Sequence, residues 1–270
     1  MTARQNWSWL AALTGALALL FVSTARPAPA ATASPVVFVM QRVERVEPGC
    51  KKAPSECSNV TLEYPRFTKA PTAAALAALN GGVSDFLLKN LDGKNLPSLN
   101  AFIDDFFREA AEARKSVPQM SAWSLEKSVT VDYNTRGIVS LRFHIFEFTG
   151  GAHPNSWATL ASYAAQTGRR WALKDLLVSG YQSKLNAIAE PYFRKEKELK
   201  PNANLEAEGF TFKGGKFAVN DNFMITAKGL LFRFDSYEIA AYVVGPTEFL
   251  VPYSAIRHLI RPGGPLTAFR

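Results

Sequence analysis

Apolar and polar positions change period several times along this chain, and each change marks an element. Val36 to Val46 opens as a continuous β-branched and aromatic run and then alternates; Val60, Leu62 and Tyr64 alternate with Asn59, Thr61 and Glu63. Period two with one apolar face predicts half-buried strands, here joined as a hairpin. Leu76, Leu79, Val83, Phe86, Leu87 and Leu91 then recur at helical spacing, with Gly81-Gly82 weakening the middle. A second helix is drawn more sharply. Ser98 stands where an N-cap belongs, Leu99, Phe102, Ile103, Phe106, Phe107 and Ala110 make one stripe, and Pro118 closes the region.

From Trp123 the period returns to two. Trp123, Leu125, Val129, Val131 and Tyr133 share one parity, and Ser124, Glu126, Ser128, Thr130 and Asp132 the other. After the turn Asn134-Thr135-Arg136-Gly137, a return strand from Ile138 to Phe148 puts Val139, Leu141, Phe143 and Ile145 on one face, with Arg142 and His144 on the other. Gly150-Gly151-Ala152-His153-Pro154 breaks the chain, and Trp157 to Tyr163 reads as a third strand. A helical region follows from Asp175 to about Leu199, interrupted near Pro191. Short strands are expected around Phe210–Phe212, Phe217–Val219, Phe223–Ile225 and Leu230–Phe234, and a last short helix from Pro252 to Ile260. Strands, helices and strands again, joined by hairpin-length turns, describe an α+β fold of antiparallel strands with packed helices. We expect two intimately joined lobes. Residues 31–120 hold the hairpin and two helices; residues 121–270 hold an antiparallel sheet, a helix, the final strands and a short helix.

The start of the chain changes the setting. Arg4 precedes an uncharged apolar run of 13 residues, Leu10 to Val22, followed by Ser23-Thr24-Ala25 and Ala28-Pro29-Ala30. That run is too short to span a bilayer, which takes about 20 residues, and the three parts read as a cleaved signal peptide over residues 1–30. The mature protein is then periplasmic or secreted and has no integral membrane span. In an oxidising compartment Cys50 and Cys57, the only cysteines, are expected to form a disulfide that staples the hairpin.

Composition excludes more than it specifies. A 47% hydrophobic and 20% charged chain of 270 residues is neither disordered nor a coiled coil. The formal charge is +8, and cleavage would remove Arg4 and Arg26 and leave +6, which favours an anionic partner. Basic residues are dispersed rather than interleaved with aromatics, so no nucleic acid is expected. His144, His153 and His258 lie far apart without a zinc-ligand spacing, and no phosphate-cradling or nucleophile-elbow motif occurs. We expect no metal and no cofactor. His153, displayed on a glycine-rich loop, is one binding candidate. The segment Phe232 to Tyr242 supplies the others: Asp235, Tyr237, Glu238 and Tyr242. Asp235 and Glu238 also admit a glycan hydrolase working through paired carboxylates. Without a complete catalytic constellation, a non-enzymatic binding module is the expected function.

Two stretches carry a family resemblance. One is Phe148-Thr149-Gly150-Gly151-Ala152-His153-Pro154-Asn155 with Tyr163, Thr167-Gly168 and Lys174-Asp175-Leu176-Leu177. The other runs from Gly229-Leu230 through Phe234, Tyr237-Glu238-Ile239-Ala240 and Gly245-Pro246 to Val251-Pro252-Tyr253. Together, over about residues 36–262, they resemble the extracytoplasmic domain of the anti-sigma-V factor, which senses lysozyme, and the N-terminal domain of a peptidoglycan N-acetyl deacetylase. The resemblance implies one α+β unit in the cell envelope that binds a wall-associated or anionic ligand or a lysozyme-like protein. The positive charge of this chain favours the anionic envelope component, because two basic proteins repel at long range.

Overall fold

The computed structural model describes residues 35–53 and 56–270; the expected signal peptide lies outside them. β1 (Val37–Val46) and β2 (Asn59–Lys69) pair antiparallel as the predicted hairpin. Cys50 and Cys57 are bonded to each other across its loop, with their Cα atoms 6.0 Å apart. Glu47, just past β1, receives both Arg114 Nη1 (2.7 Å) and Nη2 (3.0 Å), which ties the hairpin loop to a helix.

That helix is α2 (Leu99–Ser116), and α1 (Ala73–Leu88) precedes it. Thr72 and Ser98 cap them by accepting from Ala75 N and Ala101 N, at 3.0 and 3.1 Å. Leu91, assigned to the first stripe, lies beyond the end of α1. The α2 stripe of Phe102, Ile103, Phe106, Phe107 and Ala110 is buried.

β3 (Ser124–Thr135), β4 (Ile138–Phe148) and β5 (Asn155–Ala164) complete a five-stranded sheet ordered β1-β2-β3-β4-β5. Its pairs are antiparallel except β2–β3, which is parallel. The two helices between β2 and β3 carry the chain back to the end of the sheet where β2 began, as a parallel pair requires. The expected boundary at residues 120 and 121 therefore falls inside one continuous sheet. Val60, Leu62, Leu125, Val129, Val139, Leu141 and Phe143 meet α1 and α2 in a first core.

The other face of β4 and β5 meets a second sheet of β6 (Phe223–Ile225), β7 (Gly229–Phe234) and β8 (Thr247–Pro252), all antiparallel. A bulge between Val131 and Tyr133 lets two residues of like parity serve different cores, Val131 the first and Tyr133 the second. The single expected helix from residue 175 is two: α3 (Leu173–Leu176) and α4 (Gln182–Glu196), separated by a turn through Gly180 at φ 71°. Pro191 does not interrupt α4, because Leu185, Ala189 and Phe193 bury the helix face on both sides of it.

Strands expected at 210–212 and 217–219 are absent. The chain curls there through a 3₁₀ turn, Lys213–Gly215, so that Phe210, Phe212 and Phe217 reach the ring of Phe193. β8 is a strand beyond those expected, in which Thr247, Phe249 and Val251 alternate as buried positions. The last helix, α5 (Tyr253–Ile256), is shorter than expected and ends in a 3₁₀ turn, Arg257–Leu259.

Side chains fasten the two sheets together. Ser140 Oγ lies 2.8 Å from Ser162 Oγ and donates to the carbonyl of Ile225, whose N–H donates to Ser162 Oγ. Along the outer edge of β5, Asn222 accepts from Leu160 N and donates to Ala158 O, while Asp235 accepts from Ala158 N. Polar side chains thus do for β5 what a sixth strand would do.

Candidate functional site

The β4–β5 loop and the turn after β7 meet at one surface. Gly150 holds φ 82°, and a Cβ there would lie 2.5 Å from Met120 Cγ, so only glycine starts the loop in this direction. The loop delivers His153, whose ring stacks on Tyr242 with centroids 4.0 Å apart and planes at 23°. His153 Nδ1 donates to the carbonyl of Pro154 at 3.0 Å, and the Tyr242 hydroxyl donates to the same oxygen at 2.7 Å. Tyr237, at φ 67°, is 63% exposed; its ring centroid is 5.4 Å from that of Tyr242, and its hydroxyl is 3.5 Å from His153 Nε2. His153 thus meets Tyr237 and Tyr242, which lie 84 and more residues further along the chain, in a platform of three rings, with His153 and Tyr237 exposed and Tyr242 half-buried.

The two acids named with them shape the turn beneath. Asp235 Oδ1 accepts from Arg233 Nε at 2.7 Å as well as from β5. Glu238 accepts from Asp235 N at 2.9 Å and from Asn220 Nδ2 at 2.7 Å. Each carboxylate is engaged by the fold, and together they set the backbone that displays Tyr237. Arg233 also pairs with Glu248, which Arg142 reaches from β4. Burial opposes charge on Glu248, yet hydrogen bonds from Arg142 and Arg233 hold its carboxyl below the usual range.

A second feature lies outside the residues expected from the sequence. His144 Nε2 lies 2.8 Å from Ser156 Oγ. Burial, with Arg233 and Arg142 nearby, holds this imidazole below its ordinary range, so it is neutral at neutral pH. A neutral histidine on a serine hydroxyl is the start of a nucleophile–base arrangement. The register β4–β5, His144 opposite Ala158, makes Ser156 its diagonal neighbour, and only the register reveals it.

A cleft of about 640 Å³ opens on the helix side of the sheet, lined by the end of α1, the following loop, and β3 to β5. Lys127 lines it, although it stands on the apolar parity of β3, only 3% exposed. Burial lowers its pKa to about 8. Its ammonium donates to the carbonyls of Phe86, Leu87 and Lys89 at the C-terminal end of α1, where a cation suits the helix dipole. A charge among alternating apolar residues was the signal that could have found this place. Among the described residues, no three His, Cys, Asp or Glu side chains gather to hold a metal, and no helix is long and apolar enough to cross a membrane.

A solved member of the DUF3298 family from Bacteroides fragilis superposes with a TM-score of 0.72, covering 88% of this chain and 98% of its own at 19% identity. In fold, the chain is similar to the DUF3298 proteins. A second, from Pseudomonas aeruginosa PAO1, gives 0.68 over 85% of this chain and 96% of its own at 21% identity. The family model "Protein of unknown function (DUF3298)" matches residues 174–254, and "Deacetylase PdaC" matches residues 51–156. The first match holds α4, the Phe cluster and Tyr237 to Tyr242; the second runs from the disulfide loop to Ser156. Esterase Rv3036c of Mycobacterium tuberculosis is 28% identical over 174 residues, which cover 64% of this chain and 70% of that protein.

Proposed function

We propose that this chain is an exported, non-enzymatic binding module of the cell envelope whose ligand is an anionic, wall-associated polymer. The convergence of His153, Tyr237 and Tyr242 carries this reading. Closely set rings, two exposed and that of Tyr242 half-buried, offer flat apolar faces with polar edges, the combination that recurs where a protein grips a ligand without burying it. An excess of 31 Lys and Arg over 23 Asp and Glu supplies the long-range attraction. Asp235 and Glu238, engaged in the turn, fit a supporting role better than the acid and base of a glycan hydrolase. The disulfide between Cys50 and Cys57 suits an oxidising compartment.

Co-sedimentation with purified anionic cell wall is the test, at low and at physiological salt. Binding is expected to weaken as salt rises and to fall about tenfold when Tyr237 and Tyr242 are both changed to Ala. Unaltered binding by that double variant, or salt-tolerant binding to lysozyme with none to the wall, overturns the proposal.

One observation favours a second reading, a serine-type esterase: His144 hydrogen-bonded to Ser156, in a chain similar to a mycobacterial esterase. In it the Ser156 hydroxyl attacks the ester carbonyl while His144 takes its proton and passes it to the leaving alcohol; water then releases the acid by the reverse route. Hydrolysis of p-nitrophenyl acetate that disappears in both Ser156→Ala and His144→Gln would establish this reading over the first.

A further inference from the structure

We propose that the cleft beneath the end of α1 is a separate binding site for a neutral pyranose sugar, with Trp157 as its stacking face and Glu147 as its principal hydrogen-bond acceptor. The register of the sheet builds it. Lys127, Ile145 and Trp157 lie opposite one another on β3, β4 and β5, in one row across the helix-facing side. Glu147 and Thr159 stand on the adjacent rows of the same face. Trp157 is 36% exposed on the last strand of its sheet, and α1 contributes Asp85 and Phe86 to the facing wall.

The chemistry of the lining selects the ligand. Lys127, the cation buried in the cleft, has nothing to offer an anion, because its three protons go to three backbone carbonyls, and Lys89, the other cation of the lining, stands exposed to water. A wholly apolar ligand would strip water from Glu147 and return no hydrogen bond, a costly exchange. Burial already pushes the Glu147 carboxyl up, and Asn155 Nδ2 reaches it only at 3.5 Å, so the carboxylate has acceptor capacity to spare. A pyranose ring meets both demands, with C–H groups for the indole face and hydroxyl donors for Glu147 and Asp85. The volume, about 640 Å³, falls in the range of roughly 300–1,000 Å³ usual for small-ligand sites. Lys127 is a positioning residue here, because it fixes the carbonyl end of α1 as the wall of the cleft.

This site lies on the opposite face of β5 from Ser156 and does not depend on the three-ring platform. The test follows the indole and backbone amide signals of the ¹⁵N-labelled protein during titration with cellotriose, chitotriose and, separately, inorganic phosphate. At least one trisaccharide is expected to shift the Trp157 indole signal, identified by its loss in Trp157→Phe. Affinity should fall about tenfold or more in Trp157→Ala and severalfold in Glu147→Gln, with a smaller loss in Trp157→Phe. Phosphate should leave the indole unmoved, and Tyr237→Ala/Tyr242→Ala should bind the sugar as the parent does. Dispersed spectra show that each variant is folded. No shift with either trisaccharide at about 10 mM, beyond any affinity worth the name of a site, overturns the proposal. So does unchanged affinity in Trp157→Ala. A failure here leaves wall binding by the platform to stand or fall on its own measurement.

Discussion

The core between the five-stranded sheet and its two helices is filled by aliphatic side chains from β2, β3 and β4 and by phenylalanines on one stripe of α2. The core of the second sheet instead gathers around the ring of Phe193, which is wholly buried and meets Phe210, Phe212, Phe217, Phe234 and Phe249 at centroid distances of 5.1 to 6.1 Å. In the first, burial follows the period of regular elements, and many residues share the load. In the second, the irregular chain at 210–217 is held by aromatic contacts to Phe193 and to the rings of β7 and β8 that surround it. Regular elements allow a distributed core, whereas loops need anchors.

The largest expected effect tests the hub. Phe193→Ala should cost about 5 kcal/mol, the upper end for such a truncation, because five rings border the cavity and none can fill it without moving the others. Leu125→Ala in the first core should cost nearer about 3 kcal/mol. Urea unfolding of both variants checks the ranking, and equal losses would dissolve the contrast between hub and distributed core. Next, replacing Cys50 and Cys57 together by Ser should cost about 2.5 kcal/mol through loop closure. Hydrogen exchange should quicken in β1 and β2 and stay unchanged in β6 to β8; faster exchange in both sheets would mean that the halves do not respond separately.

The smallest effect falls on the seam. Glu248→Gln should cost about 1–2 kcal/mol, since Arg142 and Arg233 lose a charged partner that is itself partly exposed. The folded Glu248 carboxyl titrates below its ordinary value of 4.5. Its contribution is therefore complete above that value and is lost as pH falls through the folded pKa. Thermal melts between about pH 6 and pH 3 should show the parent losing more stability than Glu248→Gln. Parallel losses would remove Glu248 from the seam.

The same contrast explains what was legible in the sequence. Ile138 to Phe148 and the Ser98 cap could be read because period and capping chemistry are local. Phe210, Phe212 and Phe217 alternate like strand residues, but their order serves the ring of Phe193, a partner distant in sequence. For the candidate site, glycine-rich display pointed to His153, and a local concentration of acids and tyrosines pointed to Asp235, Tyr237, Glu238 and Tyr242. Their meeting depends on how the second sheet docks, which no local pattern encodes. The pairing of His144 with Ser156, and the row Lys127, Ile145 and Trp157, depend on strand register. Periodicity fixes which face a residue takes and leaves open which residue on the next strand it will meet.

The side chains along β5 also set an order of assembly. Ala158 and the N–H of Leu160 find their outer partners in Asn222 and Asp235, which leave the ribosome more than sixty residues after them. Throughout that interval a nascent sheet carries a bare edge, with unpaired backbone groups able to recruit a strand from another chain. Docking of the second sheet ends the exposure by placing an amide and a carboxylate where a foreign strand would have bonded. A chain truncated before residue 222 keeps its first core and loses its guard, so it should be most prone to self-association in the state that looks most nearly complete.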